Sequence, residues 1–85
     1  MAKVKRSVLG CIAEMVLFVK ASPKGFEIFG LDKLGRKVVF SRRTELDKCV
    51  ADAADTAQQL ANFRKKVVRL EVESEEPRDF LPENE

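Results

Sequence analysis

The stretch GFEIFGLDKLGRKVVFSRR, residues 25–43, sets two apolar runs on either side of DKLGR and ends on a pair of arginines. The simplest turn puts Asp32 first, Lys33 and Leu34 at the centre, and Gly35 in the left-handed conformation that glycine adopts at least cost. That turn predicts a hairpin pairing Asp32 with Arg36, Gly30 with Val38, Phe29 with Val39 and Ile28 with Phe40. One face then carries Phe26, Ile28, Val38 and Phe40; the other carries Glu27, Phe29, Leu31, Lys37, Val39 and Ser41. Both faces bear large apolar groups. A helix can cover one of them, and the second is expected to need the N-terminal segment, a second copy of the chain or a partner.

Moving outward, Leu46, Cys49, Val50, Ala53, Ala57, Leu60 and Ala61 recur at helical spacing after the hairpin. This alanine-rich stripe suits close packing on a sheet. Thr44 with Asp47 predicts an N-terminal cap, and Arg64, Lys65 and Lys66 place positive charge at the carbonyl end of the helix dipole. The opposite helix face holds Glu45, Asp47, Asp52 and Asp55 against Lys48, so nucleic acid is not expected from that side. VVRLEVE, residues 67–73, alternates strictly and predicts a half-buried strand. AEMVLFVKA, residues 13–21, reads as a further strand, although Val8, Ile12, Met15, Val16 and Val19 equally fit a helix period.

The expected fold class is therefore α+β: a small antiparallel sheet of three or four strands with one main helix on one face, in the order β-β-β-α-β. Residues 1–73 form this single domain. Residues 74–85, SEEPRDFLPENE, have two prolines, dense acid and little to bury, and are expected to be an acidic, flexible tail. Charge divides in the same way, with 14 Lys/Arg against 7 Asp/Glu in residues 1–66 and 2 against 7 in residues 67–85.

Eighty-five residues with 45% hydrophobic and 35% charged side chains make one small soluble domain whose core leaves room for stabilisation by a second subunit. The basic start and apolar run near the N-terminus suggest a leader, but Glu14 interrupts the run, and residues 8–19 are too few to span a bilayer. No membrane partner is expected. With no histidine and two distant cysteines, neither a CxxC pair nor a Cys/His zinc site can be written, and a reduced cytoplasmic protein is the expectation.

No nucleophile motif, phosphate-binding glycine loop or metal spacing is present, so neither catalysis nor a cofactor or metal is expected. Cys49 falls in the packing stripe and reads as a structural thiol. What remains is binding. Lys33, Arg36, Lys37, Arg42 and Arg43 lie on one hairpin and its exit with Phe29 interleaved, a pattern that lets cations neutralise phosphates while a ring stacks on a base. Single- or double-stranded nucleic acid is the expected partner, with the acidic tail occupying the basic groove in its absence and Phe80 and Leu81 able to anchor a partner. The alternative is a protein interaction module, a small regulator or inhibitor, that docks or homodimerises through Phe29, Leu31 and Val39.

Overall fold

The computed structural model describes residues 4–73 and 75–83. Its elements run α1 (Arg6–Cys11), β1 (Val16–Ser22), β2 (Gly25–Leu31), β3 (Lys37–Arg43), α2 (Leu46–Arg64), β4 (Val68–Val72) and β5 (Arg78–Phe80). The five strands form one sheet in the order β3-β2-β1-β4-β5.

The β2–β3 turn forms as its residues dictate. Gly35 N–H donates to the Asp32 carbonyl, Asp32 N–H donates to the Arg36 carbonyl, both at 3.0 Å, and Gly35 sits at φ 75°. The Asp32 carboxylate also accepts from the amides of Leu34 and Arg36 at 2.9 Å, which locks the loop from inside. Phe29 opposes Val39 and Gly30 opposes Val38, as expected. The expected Ile28–Phe40 pair does not form. A bulge intervenes, so that Ile28 opposes Ser41 and Glu27 opposes Arg42. The extra residue brings the Arg42 guanidinium onto the face of the Glu27 carboxylate, a pairing that the regular register would have lost.

The N-terminal segment is neither wholly helix nor wholly strand. Residues 6–11 make a short helix that drives Leu9 into the core, Ile12 follows it there, and β1 then alternates Leu17 and Val19 inward with Phe18 and Lys20 outward. Gly30 makes room for this crossing: a Cβ there would lie 2.8 Å from Ile12 Cδ1.

Helix α2 buries Cys49, Ala53, Thr56, Ala57, Leu60 and Ala61. The expected Thr44 cap is replaced by Glu45, whose carbonyl accepts from Cys49 N–H at 3.0 Å, and no side chain caps the helix. Leu46 falls outside the buried stripe and is exposed. Nineteen residues at about 1.5 Å each carry the chain back across the sheet, over β2 and β1, to lay β4 parallel to β1. The sheet is therefore mixed and not antiparallel, because a helical return to the starting end imposes parallel pairing.

The C-terminal segment departs furthest from expectation. Residues 78–80 pair antiparallel with β4, Phe80 opposing Val68 and packing against the core. Beyond it, Gln58 Nε2 donates to the Leu81 carbonyl at 2.7 Å, and Asn62 Oδ1 accepts from Glu83 N–H at 2.8 Å. One aromatic side chain with an apolar wall to cover is enough to hold this acidic stretch to the sheet. Residue 74 and residues 84–85 of the expected tail lie outside the described residues. Among the described residues no helix is long and apolar enough to cross a membrane.

Candidate binding face

The core lies between α2 and one sheet face, where Leu17, Val19, Ile28, Val68, Leu70 and Val72 meet the helix alanines. Leu9 and Ile12 join that same cluster, so the described N-terminal residues pack on this side. Strand alternation sends a second set of side chains to the face that bears neither helix.

Register arranges that set in rows. Across the middle run Val39, Phe29, Phe18 and Glu71, each the cross-strand partner of the next. Above them run Arg42, Glu27 and Lys20. Below, Lys37 opposes Leu31 at one side, and Val16, Arg69 and Asp79 adjoin at the other. The Phe18 and Phe29 rings stack with centroids 5.2 Å apart and planes 22° from parallel. Lys37 Nζ lies 4.6 Å over the Phe29 ring and Lys20 Nζ lies 5.8 Å over Phe18, both within cation–π range.

Glu27 organises the upper row. It is 7% exposed and pairs with both Lys37 and Arg42, the latter at 3.4 Å. The Lys37 ammonium holds its carboxyl below the usual carboxylate range against the opposing effect of burial, and Arg42 adds to the lowering. Lys37 reaches Glu27 with its ammonium over the Phe29 ring, and that ring is only 8% exposed.

The six cations and rings expected to act together are divided by the fold. Lys37, Arg42 and Phe29 share the helix-free face. Arg36 folds back on Asp32 at 3.0 Å, and Lys33 is exposed at the turn tip. The backbone amide of Arg36, then that of Leu34, keep the Asp32 carboxyl below its ordinary range. Arg43 points to the helix side, where it pairs with Asp52. Phe29 is capped by Lys37, and its neighbour Phe18, half-buried, is the more open ring.

Leu31 and Val39 are half-buried on this face. Charged neighbours border them: Lys37 opposes Leu31, and Lys37 Nζ lies over the Phe29 ring. The C-terminal segment runs along β4 and α2, at the opposite edge of the sheet from β3, so its described residues do not occupy the basic hairpin. Phe80 anchors the chain's own sheet, with the Arg78 guanidinium 5.2 Å over its ring, whereas Leu81 is 64% exposed.

Phe18, Lys20, Arg69 and Glu71 share this face and escaped the sequence pattern. The signal for the first two was the alternation in VLFVK, obscured by a competing helical period. Arg69 and Glu71 lie in the predicted strand 67–73, whose neighbour in the sheet the sequence does not give. Among the described residues no group of three or more His, Cys, Asp or Glu side chains is placed to hold a metal ion. Comparison with known protein families, curated proteins and solved structures finds no match for the chain.

Proposed function

We propose that this chain is a non-catalytic binding protein for single-stranded nucleic acid, which it engages on the helix-free face of its sheet. The observation that carries this reading is the Phe18–Phe29 stack with a lysine ammonium over each ring. A base that stacks on Phe18 on the side away from Phe29 extends an existing stack. Lys20, Lys37, Arg42 and Arg69 share that face and supply cations for a phosphate backbone that follows it. Such a ring platform favours unpaired bases, because a duplex keeps its base faces stacked and out of reach.

Lys37 and Lys20 are held by interactions that a phosphate can replace. A cation–π contact at an exposed site is worth about 1 kcal/mol or less, and both lysines are themselves exposed. When such a lysine swings to a phosphate, the ring beneath is uncovered. The test is fluorescence anisotropy with labelled single- and double-stranded oligonucleotides at low and moderate salt. The single strand is expected to bind more tightly, with affinity falling steeply as salt rises. Phe18→Leu, which keeps apolar volume and removes the ring, is expected to weaken binding by roughly tenfold, in keeping with about 1–3 kcal/mol per stacked base. Binding that ignores salt, or a Phe18→Leu protein that binds as well as the parent, would overturn the proposal and favour docking of a protein through this face.

A further inference from the structure

Resting on that reading, we infer that the sheet selects guanine at one position of the bound strand, with Phe18 as the stacking ring and Glu71 as the group that recognises the base edge. Strands β1 and β4 are parallel neighbours, and their register ends at Val19 and Val72. Beyond that point β1 turns away to pair with β2, while β4 turns the other way towards β5. Adjacent parallel strands whose connections leave in opposite directions open a crevice at their carboxyl ends. Here the crevice is an open depression of about 450 Å³ lined by Phe18, Val19, Lys20, Glu71, Val72 and Glu73.

Its walls differ in chemistry. Phe29 occupies one side of the Phe18 ring, and Glu71, the register partner of Phe18, stands on the other. A base that stacks on Phe18 on the side away from Phe29, with Lys20 drawn aside, therefore enters the depression that Glu71 also lines. Glu71 is half-buried and, among the described residues, makes no ion pair, although Glu27 and Asp79 on the same face are both paired. A phosphate-binding face has no use for an unpaired carboxylate, but a base edge rich in donors does. A carboxylate only accepts hydrogen bonds. Guanine offers two adjacent donors on one edge, N1–H and N2–H, which match its two oxygens. Adenine and cytosine present one amino donor beside an acceptor nitrogen, and thymine presents one N–H between two carbonyls, so each sets a lone pair against the carboxylate. Lys20, on the same wall as Phe18, supplies a donor for the guanine O6 or for the adjoining phosphate.

The experiment compares a labelled oligothymidine with versions that carry a single central guanine, adenine or cytosine. The guanine strand is expected to bind about tenfold more tightly than the all-thymine strand, as a bidentate base contact allows, with adenine and cytosine near the thymine value. In Glu71→Gln the guanine advantage is expected to collapse to within about twofold, while the all-thymine strand binds at least as well as before, since a negative charge near its phosphates is gone. Circular dichroism of that variant checks that the fold is intact. Equal binding of all four strands by the parent protein, or a guanine preference that survives in Glu71→Gln, overturns the inference and leaves the single-strand reading standing. Failure of every strand to bind overturns both.

Discussion

The two faces of this sheet are built from the same strands and stay dry by different means. On the helix side, Leu17, Ile28, Leu60, Val68 and Leu70 are fully buried because backbone elements stand over them. On the other side Phe29 is nearly as dry, and among the described residues its neighbours are side chains: the Phe18 ring and the Lys37 ammonium, which Glu27 tethers. Opening the first face requires unfolding; opening the second requires only that a lysine move. A small domain can therefore keep a ring shielded until a ligand of the right charge draws the shield away.

Substitutions on the helix side should cost the most. Leu70→Ala removes a fully buried side chain from beneath α2 and is expected to cost about 2–5 kcal/mol in urea unfolding. Val39→Ala, half-buried on the other face, should cost less than about 1.5 kcal/mol, because neighbouring long side chains can close over the gap. Equal losses at the two sites would mean that the outer face is as firmly packed as the core.

Gly25 comes next, at the start of β2 where it pairs with Ser22 and abuts the end of β3. It adopts φ 140°, and a Cβ there would press on the backbone of Arg43 and Thr44. Gly25→Ala is expected to cost about 1–3 kcal/mol from backbone strain, and to disturb the bulged end of β3 that carries Arg42. A stability unchanged within about 0.5 kcal/mol would show that this corner relaxes freely.

How far these features could be read from the residues depended on how local their causes are. The Asp32–Gly35 turn, the Phe29–Val39 register and the alanine stripe of α2 follow from chemistry confined to a few residues, and they were legible. The bulge at Phe40 was not, because its benefit, bringing Arg42 onto Glu27, appears only once both strands are placed. Parallel pairing of β4 with β1 depends on where a crossover lands. Helix α1 spans six residues, too few for periodicity to separate it from the strand that follows. The three residues of β5, set among acids between Pro77 and Pro82, resemble a solvated tail until Phe80 finds the core. For the site, Phe29, Lys37 and Arg42 lay in the legible hairpin, whereas Phe18 and Glu71 became neighbours only through the parallel pairing.

The smallest expected effect isolates the tether itself. The Glu27 carboxyl ordinarily titrates near 4.5, and its value in the fold is lower. The unfolded chain therefore binds more protons in acid, and the pair's contribution is fully present above about 4.5 and lost as pH falls through the folded value. Asp32, held down by the turn amides from an ordinary 3.8, adds a second loss of the same sign at lower pH. Urea midpoints of the parent should fall between neutral pH and about pH 3, and Glu27→Gln should flatten the upper part of that decline while leaving the Asp32 part. At neutral pH the same variant frees Lys37 and Arg42 without touching either ring, so oligonucleotide affinity should rise as stability slips. If the decline is unchanged in Glu27→Gln, solvent already screens the pair. The cover over Phe29 would then be held by the cation–π contact alone, and the two faces would differ less in how they are closed than in what closes them.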